Sequence, residues 1–223
     1  MARIYLRHVN SNERNNITNP LFKSVFIILL GALAGCATTP PRQQDNLCAV
    51  FDQYPDWYEY ARASERKWGV PASILMAFVR HESSYRHDAR PAYEWFLFIP
   101  LGRASSAQGY AQVQDPVWRE YKRETGGLFR SRSDMEDALD FVGWYNNKSN
   151  RVLGISKSDA KQLYLAYHEG QGGYRRETWR NKPGLIGIAD RVESTARRYG
   201  EQLRQCEERF RCQRWYQVWP LCR

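Results

Sequence analysis

From residue 52 onward, apolar residues recur three and four positions apart, and this period constrains the fold more than any other feature of the chain. Leu75, Phe78 and Val79 form one stripe. Ala138, Phe141, Val142 and Tyr145 form a second, and Ala160, Leu163, Tyr164 and Tyr167 a third. Such stripes are buried by packing helix on helix, so the architecture is read as mainly α. Punctuation agrees with the period. Asp52–Trp68 reads as a helix stopped by Gly69-Val70-Pro71, and Pro71 suits the start of the next helix, Ala72–Ser84. Asp115–Thr125 ends at Gly126-Gly127. Ser133 with Glu136 fits a capping box ahead of the second stripe, Ser158-Asp159 caps the third, and residues 185–208 form a last long helix. Residues 89–108 break the pattern. Their first fifteen hold two prolines, a glycine and four aromatics without a clear period. They read as a long loop, with room for a short hairpin as the small β element.

Glu82 lies seven residues after Leu75, four after Phe78 and three after Val79, so it continues an apolar stripe. A carboxylate on that face is costly to ionise. Burial raises its pKa and keeps it protonated near neutral pH, the state a general acid needs. The structural alternative is a helix-end glutamate that turns to solvent or pairs with Arg80 or Arg86.

Ahead of the helices, Arg3, Arg7, Arg14 and Lys23 precede an apolar run, Ser24–Leu33. At about ten residues it is too short to span a bilayer comfortably, and a basic segment before such a run is a signal peptide. Leu33-Ala34-Gly35-Cys36 looks like a lipobox. The expected organisation is therefore a signal peptide over 1–35, lipidated Cys36 with a polar tether over 36–46, and one domain over 47–223 with a disulfide-bearing tail. Ala37 rather than aspartate follows Cys36, which favours the outer membrane, facing the periplasm. Four cysteines remain, an even number in an exported chain, and they allow three connectivities. Because domain termini often lie close together, Cys48–Cys206 and Cys212–Cys222 are the expected pairs. Their spacings are not zinc-like and no histidine lies near them, so no metal is expected.

The net charge is +9, and about +6 once residues 1–35, with four Lys/Arg and one Glu, are removed. Such charge implies an anionic partner without naming it. Peptidoglycan, anionic lipid and lipopolysaccharide fit an exported chain. Nucleic acid does not, and no base-stacking motif is present. Eight Trp and fourteen Tyr suit an aromatic core or a cleft that stacks on sugar rings.

Three motifs follow one another: His81-Glu82-Ser83-Ser84-Tyr85, Gly109-Tyr110-Ala111-Gln112-Val113 and Ala166-Tyr167-His168-Glu169-Gly170. In this order they resemble the soluble-type lytic transglycosylases of the lysozyme-like superfamily, over roughly residues 64–205. That family shows Glu-Ser on a helix, then Gly-Leu-Met-Gln, then Ala-Tyr-Asn-Ala-Gly. The resemblance implies a single, mainly α, lysozyme-like domain of the goose type, with Glu82 as catalytic acid and base. It implies cleavage between MurNAc and GlcNAc of peptidoglycan glycan strands without water, closing a 1,6-anhydromuramic end. No second carboxylate and no cofactor are then required, unlike the two-carboxylate scheme of most glycosidases.

Carried over residue by residue, the resemblance adds Ser83, Ser105, Ser106, Gln112 and Tyr167 as substrate-binding candidates. Ser105 and Ser106 are placed for the N-acetyl group, Gln112 for the sugar or for the cleft backbone, and Tyr167 to donate its hydroxyl to Glu82. The chain departs from the pattern at Tyr110, Ala111, His168 and Glu169, and its stretch from Glu82 to Gln112 is longer. Glu169 restores a second carboxylate. It either activates water, giving a muramidase-type hydrolase, or caps its loop or pairs with Arg175 or Arg176. A non-catalytic peptidoglycan-binding lipoprotein is the remaining class, and an intact Glu82 argues against it. Nothing in the sequence names a protein partner. The apolar stretch Tyr93–Ile99 should border the cleft, where it covers glycan, meets the membrane beside the lipid on Cys36, or simply packs on the domain.

Overall fold

The computed structural model describes residues 38–211, which belong to one compact unit. The signal peptide, Cys36 and the Cys212–Cys222 pair lie outside the described residues. Seven α-helices are present among those described: α1 Leu47–Gln53, α2 Pro55–Trp68, α3 Ala72–Ser83, α4 Asp115–Thr125, α5 Met135–Leu153, α6 Ala160–Arg175 and α7 Pro183–Cys206. A two-stranded antiparallel hairpin, β1 Tyr93–Phe96 and β2 Ile99–Arg103, interrupts them between α3 and α4. Its register pairs Tyr93 with Arg103 and Phe96 with Ile99, with an irregularity between Glu94 and Trp95. The stretch expected as a loop thus holds the small β element.

Several boundaries differ from the sequence reading, and the last helix runs Pro183–Cys206 instead of over 185–208. Asp52–Trp68 is not one helix. The chain breaks at Tyr54 (φ −132°, ψ 77°) because Pro55 has no N–H to donate and pushes its predecessor out of the helical region. At α5 the cap is Asp134 rather than Ser133, its side chain accepting from the Asp137 amide at 3.1 Å.

Helix α3 lies at the centre. Leu75, Met76, Ala77, Phe78 and Val79 are fully buried, and the helix packs on α7, α5 and α2. Helix α2 crosses α5 closely. Ser64 donates to the Leu139 carbonyl at 2.8 Å, and a Cβ on Gly143 would lie 2.4 Å from the Ser64 Oγ and 2.6 Å from the Trp68 ring. Only glycine permits that approach. Cys48 and Cys206 are joined by a disulfide (Cα–Cα 6.1 Å) that links α1 to the end of α7 across 158 residues.

Residues 38–46, expected as part of a tether, run along the body instead. The Thr38 hydroxyl meets the Tyr110 hydroxyl at 2.8 Å, and Tyr54 donates to the Thr39 carbonyl at 2.5 Å. Pro41 is buried, and Tyr199 donates to the Gln44 carbonyl. Asp45 pairs with Arg198 at 3.3 Å. Composition suggested a solvated spacer, but these polar residues find partners in aromatic hydroxyls and arginines distant in sequence.

Candidate active site

Glu82 stands in the last turn of α3, which closes in a left-handed cap at Ser84 (φ 52°). It is half-buried and lines a cleft of about 480 Å³ together with Ser105, Gln112, Tyr145, Tyr167 and Glu169. Behind it the aromatic rings pack edge to face. Phe78 meets Tyr164 at 5.3 Å and Tyr167 at 5.4 Å, and Tyr145 meets Tyr167 at 5.1 Å. Crowding by this apolar wall lifts the Glu82 pKa to about 7, against a smaller lowering by a hydrogen bond from Tyr164. Near neutral pH the group therefore exists in both forms, able to give a proton and to take one back.

The tyrosine that holds Glu82 is not the one expected. Tyr167 donates to the Ala111 carbonyl at 2.6 Å, and the hydroxyl bonded to the carboxyl belongs to Tyr164, one turn earlier on α6. Tyr164 was legible only as a member of an apolar stripe. The signal that marks it is its polar tip, since a tyrosine on a buried stripe needs a partner for its hydroxyl.

The second motif folds as a tight loop beneath the wall. Gly109 has φ 78°, and a Cβ there would lie 2.0 Å from the Arg132 carbonyl oxygen, so no other residue fits. Gln112 also sits at positive φ (46°), and its amide nitrogen donates to the carbonyls of Ala89 (2.9 Å) and Gly109 (2.8 Å). Of its two expected roles, that nitrogen performs the second, fixing the cleft backbone. The three serines separate. Ser105 lines the cleft. Ser106 turns away, its hydroxyl accepting from the Asp115 amide at 3.0 Å at the start of α4. Ser83 is buried and gives its hydroxyl to the Val79 carbonyl at 3.2 Å, so it supports the helix instead of facing the cleft.

Glu169 occupies the rim, where α6 is kinked at Gly170 (φ 71°, ψ 159°). Its partner is neither Arg175 nor Arg176. Lys182 reaches it at 2.7 Å, the Thr178 hydroxyl donates to it, and the His168 Nδ1 lies 3.2 Å away. The Glu169 side chain is only 4% exposed. Foremost the Lys182 ammonium, then the Thr178 hydroxyl, pull its pKa down to about 2. Among the described residues no three His, Cys, Asp or Glu side chains gather as a metal site would require.

The arrangement is one protonatable carboxyl on an apolar floor and one carboxylate that stays ionised near neutral pH at the rim of the same cleft. Compared with known families, the chain matches the transglycosylase SLT domain over residues 24–206, a span that holds all three motifs. No curated protein matches it.

Proposed function

The chain belongs to the transglycosylase SLT domain family, and from that premise we propose that Glu82 alone supplies both proton transfers of a cut that leaves 1,6-anhydromuramic ends. As a member of the family the protein is a peptidoglycan lytic transglycosylase, a lyase. In the proposed reaction the Glu82 proton moves to the glycosidic oxygen as its bond to C1 of MurNAc breaks. The carboxylate left behind then takes the proton of the same sugar's 6-hydroxyl as that oxygen bonds to C1. Tyr164 holds the carboxyl through both steps, Tyr167 and Gln112 hold the wall, and Ser105 faces the glycan.

The observation that carries this reading is the contrast between the two carboxyls. A base that must take a proton in the transition state works best with a pKa near the working pH. Glu82, at about 7, meets that requirement, and Glu169, at about 2 and bonded to Lys182 and Thr178, does not. Hydrolysis is the second reading, because Glu169 lines the same cleft. Mass spectrometry of products from purified sacculi separates them. Anhydromuramic ends should dominate, and reducing ends as the main product would overturn the proposal in favour of a muramidase.

We further propose that the chain is exported and anchored by lipid on Cys36 after removal of residues 1–35, in the outer membrane facing the periplasm. The basic and apolar leader and the Leu33-Ala34-Gly35-Cys36 junction support this. Labelled fatty acid should enter the wild type and not the Cys36→Ala variant. Cys212–Cys222 is proposed as a second disulfide, and a Cys212–Cys222 linked peptide on non-reducing mapping tests it.

A further inference from the structure

Apart from Val152, every exposed large apolar side chain among the described residues lies on one of two excursions. The hairpin presents Tyr93 on β1, Leu97 and Phe98 at its turn and Ile99 at the start of β2, the last three exposed by 75, 87 and 59%. The loop after α4 presents Leu128 and Phe129, exposed by 90 and 98%. Both excursions are rooted beside Tyr110. The Gly109 amide donates to the Ala89 carbonyl at 2.9 Å and closes the base of the first, and the Tyr110 amide donates to the Arg132 carbonyl at 3.1 Å and pins the return of the second. The hydroxyl of the same tyrosine holds Thr38 at 2.8 Å. The start of the described chain and the roots of both apolar loops therefore meet at one residue.

The hairpin turn is built against local preference. Leu97 holds φ 55°, a conformation that glycine or asparagine adopts far more readily. Leu97, Phe98 and Ile99 carry no polar side-chain atom, so the side chains of the tip offer sugar hydroxyls no hydrogen bond. Exposed Arg90 and Arg103 flank the hairpin around exposed Glu94, and exposed Arg123 stands beside exposed Glu124 in the last turn of α4 before the second loop, a balance of three arginines to two glutamates. Bare apolar tips with basic neighbours are the composition of a surface that enters the boundary of an anionic bilayer.

We propose that the hairpin tip and the Leu128-Phe129 loop together form a membrane-contact face that inserts into an anionic phospholipid surface. The proposal rests on the anchored reading for which bilayer it meets. Residues 38–46 are docked on the body, and only Ala37 separates Thr38 from Cys36. Two residues reach about 7 Å at full extension, so a lipid on Cys36 holds Tyr110, and with it both loop roots, close to the headgroups. The glycan cleft is then presented at the membrane surface instead of at the end of a long leash.

The test uses residues 36–223 with Cys36→Ser, so that no lipid can be attached, sedimented with vesicles of phosphatidylethanolamine and phosphatidylglycerol. Binding is expected to rise with the phosphatidylglycerol fraction and to fall with salt. Combining Phe98→Glu with Phe129→Glu should lower the bound fraction about tenfold or more, with unchanged melting temperature and unchanged cleavage of soluble glycan strands. Val152→Glu, remote from both loops in sequence, should bind as the parent does, and each single variant guards against a folding failure of the pair. Absence of vesicle binding by the parent, or equal binding by a folded double variant, overturns the proposal. So does a double variant that loses sacculus binding while keeping vesicle binding, which would assign the tips to glycan. Because the tested chain carries no lipid, failure of fatty-acid labelling at Cys36 refutes the anchor and leaves this result standing on its own.

Discussion

Glu82 and Glu169 carry the same functional group and line the same cleft, yet one is pushed up to about 7 and the other down to about 2. Around Glu82 stand the rings of Phe78, Tyr164 and Tyr167, and a single hydroxyl donates to it. Around Glu169 stand an ammonium, a hydroxyl and an imidazole. The difference shows that membership of a cleft does not assign a role. What assigns it is the number of donors each carboxylate has gathered, because donors stabilise the ionised form and apolar walls penalise it.

The comparison breaks most visibly if Glu82 is dispensable. Glu82→Gln should fold and lose about 10²–10⁴-fold in sacculus-clearing rate, because an amide has no proton to give the leaving oxygen. Turnover near that of the wild type would end the assignment. Glu169→Gln should cost less than about tenfold, with anhydromuramic ends still the main product. A collapse to the level of Glu82→Gln would mean that both carboxylates react. The pH profile sharpens the contrast further. Activity should fall as pH rises through about 7, where Glu82 loses its proton. Tyr164→Phe removes the bond that lowers this pKa, so the fall should move to higher pH, whereas Tyr167→Phe should leave its midpoint in place.

The smallest effects are on stability, and the two variants differ in sign. The Glu82 pKa is raised from 4.5, so ionising it costs folding energy progressively from pH 4.5 to about 7 and fully above that. Glu82→Gln should then be more stable at pH 8, by on the order of 2 kcal/mol, and equal to wild type in this respect below pH 4.5. The Glu169 pKa is depressed, so its contribution is present above 4.5 and lost as pH falls through about 2. Glu169→Gln should melt slightly below wild type at neutral pH and not at the acid end. Thermal melts across that range check both signs.

The fold class, α3 to α5 and the placement of Glu82 were legible because they follow from local signals: stripes, caps and breakers read within a dozen residues. What was misread depends on contacts from far along the chain. A helix puts Tyr164 and Tyr167 on neighbouring faces, but the loop held by Gly109 and Arg132 decides that Tyr167 is taken by Ala111 and that Tyr164 is left for Glu82. Lys182 reaches Glu169 from the start of α7, where no spacing rule points to it. Residues 38–46 looked like a spacer because their composition is polar, and their partners, Tyr110, Tyr199 and Arg198, come from the rest of the domain. The break at Tyr54 was readable from Pro55 alone.

The bridge between Cys48 and Cys206 also sets how the domain bears load. A pull on the chain ahead of Thr38 is first resisted by the hydrogen bonds of residues 38–46, which give way one after another. At Cys48 the tension passes through a covalent bond to the end of α7, the helix against which α3 and α6 pack. Both helices that carry the cleft carboxylates lie inside the loop so closed. If the chain is anchored as proposed, strain between membrane and wall would peel residues 38–46 from the body and then load the bridge, leaving the blade of the enzyme its shape.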